Sequence, residues 1–169
     1  MRTLIRVALL LPLLLLVLAG CASYGGRGLT PGASSAVDVE ALMGPAAEKV
    51  ALPGGESVWF YPRQPYGLQT FAATISADGR LLDLEQRLTV QNVAKLLPGT
   101  ATRADARALF GPPWRTSRLA ISGREAWDYR MYNAVQAEYI LTLQFSEDGV
   151  LRETLMLEDY KPSGKFWRR

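Results

Sequence analysis

The sequence predicts an α+β fold of two tandem units, each a helix or helix pair followed by three antiparallel strands, with the helices packed on one face of the sheet. Three observations predict it. A Pro-Gly, helix-cap and Gly-Pro pattern occurs twice, 67 residues apart. A Trp-x-Tyr motif and an Asp-Gly pair follow in the same order in both halves. The segments around them alternate apolar and polar residues, and helices followed by strands indicate α+β layers.

The helices are predicted from signals at both of their ends. In the second unit, Thr102 is a good N-cap, and the carboxylate of Asp105 can accept hydrogen bonds from free N–H groups of the first turn. Gly111 lies where positive φ is favoured, and the prolines that follow it prevent continuation. Ser35 and Gly44 supply the same signals in the first unit. Helices are therefore predicted over 35–43 and 102–110, with a shorter helix over 90–96 leading into the second unit.

The strands are predicted from alternation and from turn residues. Asp78-Gly79 and Asp148-Gly149 are typical hairpin turns between alternating runs. The segment 46–56 contains Pro53-Gly54-Gly55 and is interpreted as a loop. Strands are predicted over 57–61, 70–76, 80–89, 125–131, 138–146 and 150–158.

The first 20 residues are typical of a signal peptide. Arg2 and Arg6 precede an apolar run that is too short for a comfortable membrane span. The run ends in Leu18-Ala19-Gly20-Cys21, which resembles a bacterial lipobox, in which the cysteine is acylated and becomes the N-terminus after cleavage. The alternatives are an ordinary secretory signal with an incidental cysteine, or an N-terminal anchor. Ala22 follows the cysteine, and the absence of aspartate there favours the outer membrane.

The rest of the chain divides into four parts. Residues 21–28 are rich in Ser, Gly and Ala and are predicted to be a lipidated flexible tether. The first unit is assigned to 29–89 and the second to 90–160. Residues 161–169 form a basic tail with aromatic side chains.

Composition argues against several classes of function. The formal net charge of +3 falls to +1 when the signal peptide removes its two arginines, so charge gives nucleic-acid binding no support. The chain has no histidine, its one cysteine is Cys21, and no phosphate-binding or metal-spacing motif occurs. We therefore expect a non-enzyme with no metal, cofactor or small-molecule substrate.

Recognition of a partner is the remaining class of function. Aromatic and basic residues in presumed loops and in the tail are the predicted contacts with a partner or membrane. Trp59, Tyr61, Trp127 and Tyr129 are instead expected to pack the helices onto the strands. The predicted contact residues are Tyr66, Trp114, Tyr132, Lys165, Phe166, Trp167, Arg168 and Arg169.

The second unit resembles the SmpA/OmlA (BamE-like) family of outer-membrane lipoproteins. The resemblance is carried by Gly99, Thr102, Ala106, Leu109, Gly111, Pro113, Trp127, Tyr129, Leu141, Leu143, Phe145, Gly149 and Leu151. The first unit has a weaker copy of the pattern, with Ala46 in place of the second proline. Tandem units of this kind also resemble β-lactamase inhibitor protein, whose repeats form one long concave sheet.

The family resemblance implies a function at the outer membrane of a Gram-negative bacterium. It implies a periplasm-facing, lipid-anchored protein that acts as a scaffolding or accessory component of β-barrel protein assembly, with assembly-machinery proteins as partners. The alternative is a lipid-anchored periplasmic binding module, such as an enzyme inhibitor or a cell-wall-binding protein.

Lipidation at Cys21 gives the first testable prediction. The mature protein should begin at Cys21 and carry the mass increment of a diacylglycerol group, measured by intact mass spectrometry. Cys21→Ala should leave a soluble or uncleaved precursor. An unmodified mature wild-type chain would exclude lipidation.

Overall fold

A computed structural model describes residues 24–159 of the chain. The predicted signal peptide with Cys21, and the predicted tail, lie outside the described residues. The described part is α+β, with two four-stranded antiparallel sheets and short helices. The helices are α1 (Ala36–Met43), α2 (Val90–Val93) and α3 (Arg103–Phe110). The strands are β1 (Glu48–Ala51), β2 (Ser57–Pro62), β3 (Thr70–Ile75), β4 (Leu81–Gln86), β5 (Arg115–Arg118), β6 (Glu125–Tyr132), β7 (Glu138–Phe145) and β8 (Leu151–Glu158).

Each unit has four strands, where three were predicted. The strand orders are β1-β2-β3-β4 and β5-β6-β7-β8, so the missed strands β1 and β5 are edge strands. Both have only four residues, and β5, with the sequence RTSR, is exposed throughout. Short, charged edge strands resist pairing with other chains, and for the same reason they lack the apolar alternation that identifies a strand. The prediction of a loop over 46–56 was therefore wrong at Glu48–Ala51.

The two main helices begin and end as predicted. The side chains of Ser35 and Thr102 accept hydrogen bonds from the main-chain N–H groups of Asp38 and Asp105, and each carboxylate accepts one back from the cap N–H. These hydrogen bonds lower the pKa of both carboxyl groups. Each helix ends at a glycine with positive φ, at +82° and +72°, and ψ is near 180°. This extended region is essentially restricted to glycine, unlike the left-handed helical cap that the sequence suggested.

The duplication extends to single hydrogen bonds in the hairpins. The Ser76 and Ser146 hydroxyl groups each contact the aspartate of the following Asp-Gly pair. A register irregularity follows at the equivalent place in both sheets, between Thr74 and Ile75 and between Gln144 and Phe145. The two units therefore share the hairpin hydrogen bond and the position of the register irregularity as well as the order of their strands.

Each unit has its own core between helix and sheet. In the first unit, Val39 and Met43 of α1 pack with Trp59 and Tyr61 of β2. In the second unit, Ala106 and Phe110 of α3 pack with Trp127 and Tyr129, which are equivalent to Trp59 and Tyr61. Val93 of α2 belongs to the same cluster. These four aromatic residues thus share buried clusters with residues of the helices.

The second unit also contacts the other face of the first sheet. Phe60 alternates with Trp59 and Tyr61, so it lies on the face opposite α1, where Val58 and Ala72 join it. A Cβ atom added to Gly111 would lie 2.7 Å from the Phe60 ring, so the end of α3 rests on that ring. The strands form two separate sheets, unlike the single long sheet of β-lactamase inhibitor protein.

The segment after the predicted lipid anchor is packed rather than extended. The main-chain oxygen of Tyr24 accepts a hydrogen bond from Arg63 Nε at 2.8 Å, and the Tyr24 ring lies edge-on to Phe71 with centroids 6.2 Å apart. Gly26 is buried close to Leu84. Tyr24 and Gly26, which fall within the predicted flexible tether over 21–28, are thus packed against the first unit.

The Phe60 contact predicts different outcomes for two equivalent glycines. Gly111→Ala should destabilise more than Gly44→Ala, because both positions have positive φ but only the first alanine would overlap a ring. Strain at φ should cost about 1–3 kcal/mol at either site. The Phe60 overlap should add about 1–3 kcal/mol at residue 111. Urea unfolding of both variants measures the difference, and equal losses would contradict the packing described here.

Candidate binding surface on the second sheet

One face of the second sheet carries polar side chains that form a connected group. On β6, Asp128 and Arg130 alternate with the core residues, so they project from the face opposite α3. Arg115 pairs with Asp128 across the β5–β6 ladder, and Thr142 pairs with it from β7. We call this surface the Trp114 face and define it as Trp114, Arg115, Asp128, Arg130 and Thr142.

Asp128 is the centre of the Trp114 face. The carboxylate is almost fully buried, and both of its oxygens have partners. Arg115 donates to Oδ2 from Nε at 2.9 Å and from Nη2 at 2.6 Å, while the Thr142 hydroxyl donates to Oδ1 at 2.7 Å. A buried carboxylate is costly unless it is paired and hydrogen-bonded in this way. The network therefore fixes the orientation of Arg115 at the surface.

The Trp114 ring lies close to two arginine side chains. The guanidinium carbons of Arg115 and Arg130 are 5.2 Å and 5.7 Å from the centre of its ring. Both separations are within the range of cation–π attraction. The main-chain N–H of Trp114 donates to the Asp128 carbonyl oxygen at 3.0 Å, which holds the Trp114 backbone against β6. The indole remains 36% exposed, so it is held in place while a large aromatic surface stays accessible.

Arg130 joins the two units. Its side chain is largely buried and contacts Asp159 through Nε at 2.8 Å and Nη2 at 2.5 Å. A third nitrogen donates to the carbonyl oxygen of Pro65, in the β2–β3 loop of the first unit. The main-chain N–H of Arg130 donates to Gln64 Oε1 at 2.6 Å. One side chain therefore contacts the first unit, the second sheet and the end of β8.

The structure brings the three predicted loop aromatics around Arg130. Trp114 touches its guanidinium group, Tyr66 follows the Pro65 that accepts its hydrogen bond, and Tyr132 lies two residues along the same face of β6. Tyr66 is 99% exposed and Tyr132 is 36% exposed. The five predicted tail contacts, Lys165, Phe166, Trp167, Arg168 and Arg169, lie outside the described residues.

Several exposed or linking residues were missed by the sequence reasoning. Ile121 and Val135 project from the tips of the β5–β6 and β6–β7 hairpins, and Leu157 is exposed on β8. Ile121 and Val135 could have been predicted to be exposed, because each is an apolar residue inside a polar turn. Arg130 had no sequence signal, because its partners are about 30 and 65 residues away along the chain.

The described residues also line surface depressions elsewhere on the molecule. One of about 370 Å³ is lined by residues that include Arg103, Arg118 and Glu125, and one of about 480 Å³ lies against α3 near Leu97 and Leu109. Between residues 24 and 159 there is no group of three or more acidic, cysteine or histidine ligands that could hold a metal. Over the same range, no helix is long and apolar enough to cross a membrane.

Burial of the core tyrosines shifts their ionisation upwards. Burial raises the pKa of Tyr61 to about 12 and also raises the pKa of Tyr129. The Tyr129 hydroxyl donates to the Gly111 carbonyl oxygen at 3.1 Å. Tyr129 therefore holds the end of α3, whereas the buried Tyr61 hydroxyl has no hydrogen-bond partner among the described residues.

Comparison with known proteins gives little further information. No protein-family model matches the chain, and a search of curated proteins finds no match. Among solved structures, the chain is similar to a DUF4309 family protein (YjgB) from Bacillus subtilis, at 16% identity over 78% of this chain and 83% of that one. The TM-score of 0.30 is too low to support a conclusion about fold or function.

The contacts of Arg130 predict that its loss lowers the free energy of unfolding more than the loss of an exposed arginine. Arg130→Ala should lower the free energy of unfolding by about 1.5–3 kcal/mol, because it removes charged hydrogen bonds that link both units. Arg152→Ala, which breaks an exposed pair with Asp148, should cost less than about 1 kcal/mol. Urea denaturation measures both variants. Similar losses would show that Arg130 does not hold the units together.

Proposed function

We propose that this chain is a non-catalytic lipoprotein that binds protein partners through the Trp114 face. The observation that carries the proposal is Trp114 itself, a partly exposed residue whose ring lies close to two arginines, one of them paired with a buried carboxylate. Tryptophan and arginine are enriched at the energetic centres of protein interfaces. A side chain that is already ordered loses little conformational freedom on binding, which favours its use as an anchor.

The surroundings of Trp114 suit a protein interface. Ile140, Leu155 and Leu157 continue the face across β7 and β8, giving an apolar area beside the charged group. In this proposal, α2 and α3 cover one face of the second sheet and leave the Trp114 face for a partner.

The proposed location is the outer membrane, facing the periplasm of a Gram-negative bacterium. The lipobox-like sequence that ends at Cys21 supports a lipid anchor, and Ala22 supports sorting to the outer membrane. The basic tail supplies charge for acidic protein or lipid headgroups.

The proposed role is scaffolding or accessory function in outer-membrane β-barrel assembly. The resemblance of both units to the SmpA/OmlA pattern supports this choice, and the duplicated backbone adds that both copies keep the same caps and hairpins. A lipid-anchored binding module for another periplasmic partner is the alternative, and the experiment below separates the two.

Affinity capture from detergent-solubilised envelopes tests the proposal. Tagged wild-type protein should recover β-barrel assembly proteins, and Trp114→Ala should weaken the binding by about 2 kcal/mol, or about thirtyfold in Kd. Val37→Ala is the matched control, because Val37 is an exposed apolar residue on α1, away from this face, and should leave capture unchanged.

Two results would overturn parts of the proposal. Recovery of a soluble periplasmic protein without assembly subunits would replace the assembly role with the binding-module role. Equal capture by Trp114→Ala and the wild type would remove the Trp114 face as the binding site.

A further inference from the structure

The first described residue after the predicted anchor is fixed to a loop. Arg63 donates to the Tyr24 carbonyl oxygen, and its guanidinium carbon lies 5.6 Å from the centre of the Tyr24 ring. A side chain at Gly67 would overlap the Tyr24 hydroxyl, so the tyrosine fills the space inside the 63–67 turn. The chain leading to Cys21 therefore leaves the folded part beside the β2–β3 loop.

Chain length limits how far this loop can lie from an acylated Cys21. Only Ala22 and Ser23 lie between Cys21 and Tyr24. The three steps from Cys21 to Tyr24 span at most about 3.6 Å each in a fully extended chain, or about 11 Å. The headgroup layer of one leaflet is itself about 5–7 Å thick. With the anchor in the bilayer, Tyr24 and its loop must lie at or next to the headgroups.

Two ordered turns project apolar side chains at this end of the molecule. The 63–67 turn is closed by a main-chain hydrogen bond from Gly67 to Arg63 at 2.7 Å and exposes Tyr66 completely. In the β6–β7 turn, Asn133 Oδ1 accepts hydrogen bonds from the N–H groups of Val135 and Ala137 at 3.0 Å and 2.9 Å. Val135 is 80% exposed at its tip. Both apolar residues are thus held outward by their own turns.

Independent contacts place the two turns at the same end. Gln64 and Pro65 bind Arg130, only two residues before the end of β6. Gln69 from the first loop and Asn133 and Gln136 from the second line one cleft of about 240 Å³. The end of β8 also lies here, because the Asp159 N–H bonds to the Glu138 carbonyl oxygen.

We infer that this end of the molecule is a membrane-contact surface, with Tyr66 and Val135 inserted among the lipid headgroups. The inference rests on the lipid anchor of the proposed function but not on the identity of any protein partner. Tyrosine is favoured at membrane interfaces, because its ring is apolar and its hydroxyl is polar. The residues that follow Asp159 include four cations, Lys161, Lys165, Arg168 and Arg169, which favour anionic lipid.

Ile121 provides a matched control at the opposite end. It is as exposed as Tyr66 and lies at the tip of the hairpin that precedes β6. The eight residues of β6 separate the two ends by about 23 Å. In this orientation Ile121 stays in water, which leaves the Trp114 face at the side of the molecule for a protein.

Site-specific fluorescence in vesicles tests the inference. Tyr66→Cys, Val135→Cys and Ile121→Cys are each labelled with a polarity-sensitive fluorophore in the full-length lipidated protein, where acylation leaves Cys21 without a free thiol. The protein is reconstituted into vesicles of phosphatidylethanolamine and phosphatidylglycerol that contain lipid with a nitroxide on the acyl chain. All three positions are exposed, and circular dichroism checks that each variant is folded.

The outcomes separate this inference from the proposed function. Labels at residues 66 and 135 should shift to shorter wavelength and lose most of their emission to the nitroxide, while the label at 121 should do neither. Equal behaviour of the three labels, or quenching at 121 alone, would overturn the inference, while partner capture would still test the proposed function. An intact mass without diacylglycerol would overturn both the inference and the lipid anchor.

Discussion

The arrangement of the two units depends on a contact between a ring and a residue with no side chain. Phe60 projects from the face of the first sheet opposite α1, and the end of α3 can rest on it because residue 111 is glycine. The same glycine is required for a second reason, since its backbone has positive φ and extended ψ. Its carbonyl oxygen also accepts the hydrogen bond of Tyr129. One residue thus ends a helix, packs the units and orients a core side chain.

The two units share a backbone but differ where their surroundings differ. The residue equivalent to Phe60 in the Trp-x-Tyr motif of the second unit is Asp128. Its partner across the edge strand changes as well, from Glu48 to Arg115. Phe60 is buried by the second unit, whereas among the described residues no further unit covers Asp128, whose charge is balanced by Arg115 and Thr142. The outer face of a terminal repeat is polar for this reason.

The sequence predicted the parts of the fold that local signals determine. Helices α1 and α3 carry caps at both ends, and the strands of each hairpin alternate around an Asp-Gly turn. The edge strands were not predictable, because charged, exposed residues give no alternation, as in β5. The exposure of Tyr66, Trp114 and Tyr132 followed from their place at turns and strand ends. Their positions near Arg130 and the contact of α3 with Phe60 both depend on segments that are distant in the chain, so neither follows from periodicity.

The presence of Asp128 at the position equivalent to Phe60 affects how copies of the chain can contact one another. The first unit presents Gly44 with open space around it, and the second presents the sheet face equivalent to that of Phe60. Gly44 and Asp128 are equivalent to the two residues of the internal contact, Gly111 and Phe60. A head-to-tail contact between copies that does not close on itself produces an open polymer. A phenylalanine in place of Asp128 would complete the match. With Asp128 paired to Arg115 at that position, the aromatic ring that the internal contact uses is absent, so a second copy cannot repeat the contact.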